Sequence, residues 1–205
     1  MTKGKFITLE GVEGVGKSTN LEVISEFVKS GGYDVLVTRE PGGTTLGERV
    51  REILLDKNEY RMMPMAELLL MFAARAQHVE EVIKPALALG TWVLSDRFTD
   101  SSYAYQGGGR QMGSAAVAEL EHQVLGNFRP DLVIILDLDV RAGLERASKV
   151  SEADRFESEE GAFFERVRAS FVRRSSEPGY HLVDAARPLI DVQAEIISII
   201  KGLFK

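Results

Sequence analysis

GVEGVGKST, residues 11–19, satisfies the phosphate-loop pattern GxxxxGK[ST] through Gly11, Gly16, Lys17 and Ser18. It follows KFITLE, a β-favouring run, and precedes NLEVISEFVKS, in which Leu21, Ile24, Phe27 and Val28 keep helical spacing. Strand, loop and helix in that order are the setting the pattern requires. Glycines let the backbone turn its N–H groups inward around a polyphosphate, and the positive end of the helix beginning near Lys17 acts on the same spot. Lys17 is expected to reach the β and γ phosphates, and Ser18 to ligate Mg²⁺. A glycine-rich turn before an ordinary helix is the plainer alternative, and the correct flanks on both sides weigh against it.

The rest of the chain sets bounds on this reading. At 205 residues it is expected to form one domain, residues 1–205, long enough for a sheet covered by helices on both faces. A net charge of −6 provides no global positive field to gather nucleic acid or an anionic membrane, so any anion site must be built locally. The absence of cysteine excludes disulfides, thiolate catalysis and Cys-based zinc, and suits a reducing, cytoplasmic setting. No charged and apolar leader is expected at the N-terminus, which enters a strand almost at once. The most apolar stretch, residues 62–74, is interrupted by Pro64 and Glu67 and is too short to span a bilayer.

Apolar, β-branched runs recur at Phe6–Leu9, Tyr33–Thr38, Trp92–Leu94, Leu132–Leu138 and Tyr180–Val183, with helical patterns between them. Alternation of this kind predicts an α/β fold with a parallel, doubly wound sheet of the P-loop type and helices on both faces. VIILDL is apolar on both pleat faces, as a strand buried between helical layers should be. SKVSEADRFESEEG, residues 148–161, is polar and charged between two helical patterns. It reads either as a solvated connection or as a mobile lid over the phosphate site.

Three further stretches add chemistry at strand ends. Ser95, Asp96 and Arg97 close the third apolar run, and ligands of open α/β sheets bind at carboxyl ends of strands. Asp96 is thus expected near Mg²⁺, a hard cation that prefers carboxylate oxygen, and Arg97 near a phosphate it can grip bidentately. TREPGGT, residues 38–44, contains a turn at Pro41, Gly42 and Gly43 and places Arg39 as a second phosphate-capable cation at the same rim. In LLLMFAARAQ either Met71 or Phe72 shares a helix face with Arg75, a face that could sandwich a planar base or simply be core. His78, His122 and His181 are scattered without metal spacing and read as structural or exposed.

Taken together, GVEGVGKST, TREPGGT, FAARAQ, DRFTDSSYAYQGGGR and ADRFE, in that order, resemble the bacterial thymidylate kinase (dTMP kinase) family nearly end to end. The resemblance implies a nucleoside monophosphate kinase with a five-stranded parallel sheet, usually a homodimer, transferring the ATP γ-phosphoryl to dTMP. It implies that Lys17 and the loop around Gly11, Gly14, Val15, Gly16, Ser18 and Thr19 hold ATP, with Ser18 and Asp96 about Mg²⁺. It places Glu13 at the acceptor 3′-hydroxyl, Arg39 and Arg97 on the dTMP phosphate, and Arg75 at thymine O4 with Phe72 or Met71 stacking. Ser102 and Gln106 would complete the base pocket, and Tyr105 would crowd the 2′ position. Gly14 stands where one form of the family carries a loop arginine, so the lid-arginine form is implied, with Arg155 catalytic. Arg146 and the turn at residues 184–188 match the adenine side. A dianionic phosphate acceptor needs no general base, so Lys17, Arg97, Arg155 and Mg²⁺ would act by positioning and charge. The rivals are a kinase of the same fold with another acceptor and a nucleotide-switch protein; against the latter, no NKxD tetrad is found.

Overall fold

A computed structural model describes residues 4–57, 61–149, 155–156 and 159–204. Its strands are β1 (Phe6–Glu10), β2 (Val35–Arg39), β3 (Trp92–Asp96), β4 (Leu132–Asp137) and β5 (Tyr180–Asp184). They form one parallel sheet in the order β2-β3-β1-β4-β5. Every apolar run became a strand, as expected. The second begins at Val35 instead of Tyr33, because its ladder with β3 starts where Val35 pairs with Trp92, the first residue of β3.

The helices are α1 (Lys17–Ser30), α2 (Thr45–Leu55), α3 (Pro64–His78), α4 (Lys84–Ala88), α5 (Thr99–Ser102), α6 (Ser114–Leu125), α7 (Val140–Ala147), α8 (Gly161–Arg174) and α9 (Leu189–Lys201). Wider π-type turns join α3 to α4 at Val79–Ile83 and follow α5 at Tyr103–Gly109. Local chemistry fixes the starts: Pro64 opens α3, the Thr44 hydroxyl accepts from Gly47 N–H at 2.9 Å, and Asp139 accepts from Arg141 and Ala142 N–H.

Alternation along β1 divides the core. Ile7 and Leu9 join Ile24 and Val28 of α1 and Ile196 and Ile200 of α9, whereas Phe6 turns to the other face with Val93, Val79, Ile83 and Leu87. Central strands β1 and β4 are buried almost throughout, in keeping with helices on both sides. The consequence for function is at the sheet's carboxyl edge, where the register sets Asp96 beside both Leu9 and Arg39. Strand-end residues that are remote in sequence therefore share one rim. The AYQGGGR stretch reaches the same region as the π turn, whose Gly109 packs so closely on α8 that a Cβ there would meet the Phe163 ring at 2.5 Å. Of the 148–161 segment, residues 150–154 and 157–158 lie outside the described ones.

Candidate active site

A cavity of about 260 Å³ opens at the carboxyl ends of β1 and β3. The phosphate loop forms one side. Gly16 caps α1 in the left-handed conformation, and Gly14, also at positive φ, presses against α7 so tightly that a Cβ would lie 2.0 Å from the Gly143 carbonyl oxygen. No side chain, and so no loop arginine, fits at position 14. Lys17 curls over the loop and donates to the carbonyls of Gly11 at 3.3 Å and Val12 at 3.1 Å. Burial, with help from the nearby Arg97 charge, lowers its pKa to about 8, against the opposing pull of Asp96, Glu13 and Glu10.

Arg97 meets Lys17 at the same atom: its Nη1 donates to Gly11 O at 2.8 Å and to Ser101 Oγ at 3.1 Å, while Nη2 donates to Glu13 Oε1 at 3.1 Å. Two cations separated by 80 residues thus face one cavity. Burial opposes the Arg97 charge, but Tyr105, Glu13, Asp96 and Glu10 outweigh it and hold the guanidinium firmly protonated. Its backbone sits at φ 70, a left-handed conformation that costs a non-glycine residue about 1–2 kcal/mol. The neighbours enforce it: Arg97 N–H donates to Leu9 O, Ser95 Oγ donates to Arg97 O, and Phe98 N–H donates to Glu10. Glu10 is itself buried, and burial together with the Asp100 carboxylate pushes its pKa up to about 8.

The opposite wall is a side-chain network. Buried Arg75 donates through Nε to Glu40 Oε2 at 2.7 Å, through Nη1 to Ser102 Oγ at 3.0 Å and through Nη2 to Phe98 O at 2.9 Å. Glu40 also pairs with His78 Nδ1 at 3.0 Å, and His78 Nε2 lies 2.7 Å from the Thr38 hydroxyl. Of the readings open for His78, the structural one holds. Gln106 lines the cavity and donates to Glu67 at 2.8 Å. Between the two sides, the Tyr105 hydroxyl donates to Glu13 Oε1, leaving buried Glu13 Oε2 without a hydrogen-bond partner.

Several expected residues sit elsewhere. Met71 lines the cavity, but Phe72 does not: its ring lies beneath Arg75, 4.6 Å from the guanidinium carbon, and packs with Leu68, Tyr103 and Val117. The expectation that Phe72 faces a base is corrected accordingly, because helical geometry turns neighbouring residues to different sides. Arg39 lines the cavity while paired with Glu48 at 2.8 Å. Arg155, expected at the phosphates, is not among the lining residues. Its Nε donates to Leu54 O at 2.7 Å, and its Nη2 stands 2.8 Å from Glu67 Oε2 in an ion pair too oblique for a hydrogen bond. A buried carboxylate has claimed it. Arg146 reaches the turn after β5, donating to Ala185 O at 3.4 Å.

Arg51, Glu40 and Ser101 also line the cavity and went unread in the sequence. Glu40 had a signal, since it lies inside TREPGGT beside Arg39. Ser101 likewise lies inside DRFTDSSYAYQGGGR, whereas Arg51 falls in none of the stretches that carry chemistry.

For a metal, the available donors are oxygens. Asp96 Oδ1 is buried without a hydrogen-bond partner, and Asp96 and Ser18 share the lining of a second hollow of about 660 Å³ beside α1 and β2. Hard oxygen donors suit Mg²⁺. Among the described residues no group of three or more His, Cys, Asp or Glu is placed to hold an ion. The remaining ligands would have to be phosphate and water, as Mg²⁺ ordinarily takes them.

Comparison with known proteins agrees with this geometry. The family model described as thymidylate kinase matches residues 9–196. The thymidylate kinase of Pseudomonas fluorescens (strain SBW25) is 55% identical over 204 residues, covering 98% of this chain and 97% of that protein. That of Teredinibacter turnerae is 52% identical over 195 residues, covering 94% and 95%. The crystal structure of thymidylate kinase from Ehrlichia chaffeensis superposes with a TM-score of 0.77 at 30% identity, over 98% of this chain and 99% of the other. With the phosphate loop, the paired cations and the matched length all in place, the chain belongs to the thymidylate kinase family.

Proposed function

We infer that this chain transfers the γ-phosphoryl of ATP to dTMP, giving dTDP and ADP. The observation that carries the inference is the meeting of Lys17 and Arg97 over one carbonyl oxygen, with a base-sized, side-chain-lined cavity beyond them. Members of the family use ATP and Mg²⁺. When bound, Mg²⁺ neutralises charge on the phosphates.

The residues divide the work as follows. Backbone N–H groups of residues 14–19 cradle the ATP phosphates, Lys17 neutralises the transferring group, and Ser18 and Asp96 hold the metal. Arg97 clamps the acceptor phosphate, supported at the rim by Arg39 and Arg51, so that two polyanions approach in line instead of repelling. Arg75 reads a carbonyl on the base from its fixed seat on Glu40, Met71 supplies the apolar surface beside it, and Ser102 and Gln106 complete the pocket. Glu13 accepts the 3′-hydroxyl through its unpartnered Oε2. Tyr105, held by that same Glu13, fills the space a ribose 2′-hydroxyl would need. Arg146 serves the adenine side, and residues 148–161 act as a lid, with Arg155 anchoring it on the acceptor side.

We further propose a cytoplasmic homodimer, supported by the exposed apolar Leu46, Met65 and Leu69 on α2 and α3. Among the described residues no helix is long and apolar enough to cross a membrane. The decisive experiment offers dTMP, dUMP, UMP, CMP and AMP side by side with ATP and Mg²⁺. Preferential formation of dTDP is expected; preference for another monophosphate would reassign the acceptor, and no turnover with any would return the chain to the nucleotide-switch reading. Light scattering on the eluting protein tests the dimer.

A further inference from the structure

We propose that Glu67, which does not touch the cavity, is the positioning residue that couples reading of the acceptor base to the placement of Phe156 in the cavity wall. The proposal rests on the assignment of the cavity to dTMP. Glu67 is the acidic residue inside an otherwise apolar helical stretch, and it is fully buried in the first turn of α3. Around it gather side chains from two separate parts of the chain, the turn that ends at Arg110 and residue 155. Oε1 accepts from Gln106 Nε2 at 2.8 Å, Arg110 donates to both carboxylate oxygens at 3.2–3.3 Å, and Arg155 adds its ion pair at 2.8 Å. Arg110 also bonds Glu159. Two carboxylates and two guanidiniums thereby balance charge around a fully buried Glu67, with Arg110, Arg155 and Glu159 partly exposed.

Two consequences follow from this one carboxylate. An ionised carboxylate only accepts hydrogen bonds, so it obliges Gln106 to turn its NH₂ group inward, leaving the amide oxygen as an acceptor toward the cavity. That oxygen complements a base with a ring N–H, as thymine has, and opposes cytosine, whose corresponding nitrogen is an acceptor. On the other side, the grip on Arg155 and, through Arg110, on Glu159 brackets Phe156, which forms part of the cavity wall. Phe156 meets Tyr105 edge to face at 5.7 Å and lies 4.4 Å from the Arg155 guanidinium carbon. Base reading and the placement of Phe156 therefore share an anchor.

The test measures steady-state kinetics and thermal unfolding of the full chain carrying Glu67→Gln or Glu67→Asp. In Glu67→Gln the Gln106 amide is free to turn over. The expected result is a rise of about tenfold in KM for dTMP, kcat within about threefold, KM for ATP unchanged, and a loss of about tenfold in preference for dTMP over dCMP, sizes typical of the net worth of one hydrogen bond. Glu67→Asp keeps the charge at shorter reach and should recover part of the preference. A folded Glu67→Gln protein with unchanged KM for dTMP and unchanged preference, or with both KM values rising together, would overturn the proposal. Should Glu67→Gln fail to fold, an unaltered KM for dTMP in Glu67→Asp overturns it equally. A wild-type chain that makes no dTDP defeats the assignment of the cavity instead.

Discussion

Lys17 reaches carbonyls six and five residues away, whereas across the cavity Arg75 is held by partners 35, 27 and 23 residues distant. The donor side is made of backbone folded on itself, with a lysine whose pKa is lowered by burial. Polar side chains that hold one another in place before any ligand arrives make up the acceptor side. Substitutions on the donor side should therefore remove chemistry and spare the fold, while those on the acceptor side should damage both.

Lys17→Met gives the largest expected effect: kcat/KM falls about 10³-fold or more, on the scale of lost electrostatic stabilisation of a transferring phosphoryl group. Its melting temperature should hold or rise slightly, since a partly buried ammonium has been removed; a fall of 10 °C would break the contrast. Next comes Arg75→Ala, which removes the guanidinium from buried Glu40 and leaves His78 as its remaining partner. Loss of a buried pair costs about 3 kcal/mol, or about 10 °C in melting temperature for a chain this size, and KM for dTMP should rise about 100-fold. Unchanged stability would show that the network does not hold the acceptor wall.

The pH profile sharpens the donor side. Lys17 binds polyphosphate as the cation, and in the free protein that cation is lost as pH rises through about 8. Thus kcat/KM for ATP should fall by about tenfold per pH unit above that point, while kcat, which reports the complex, holds to higher pH because bound phosphate restores the proton. A profile flat to pH 9.5 would contradict the burial of Lys17. Tyr105→Ala should improve use of the ribonucleotide relative to dTMP by about tenfold, a size usual for small steric discriminations. An unaltered sugar preference would assign Tyr105 to packing. The smallest effect is expected of Arg155→Ala, about fivefold in KM for dTMP with kcat within tenfold, equivalent to about 1 kcal/mol, because Arg110 still pairs with Glu67 and Arg155 itself is only partly buried. A 10³-fold loss of kcat would restore it as an arginine finger.

Legibility in the sequence follows the same division. The phosphate loop is contiguous, so its nine residues declare both its shape and its ligand, and the strands announce themselves by apolar runs. Asp96 and Arg97 were legible because a strand end fixes where they stand. Phe72 was misplaced by a single helical position, a 100° rotation that spacing alone does not settle once an apolar neighbour offers the same chemistry. Arg155 was named in the sequence, but its seat was not legible: it depends on Glu67, 88 positions earlier, and nothing local tells which buried carboxylate an arginine will reach.

Glu13 holds one oxygen in reserve: Tyr105 and Arg97 both occupy Oε1, and Oε2 is shut away from water with nothing to accept from. On the proposed reading, an acceptor bearing a 3′-hydroxyl relieves that deficit, and one lacking it leaves the deficit standing at about 1–3 kcal/mol. Chain-terminating nucleotide analogues stripped of this group should accordingly be poor substrates, turned away by an atom with no other occupation.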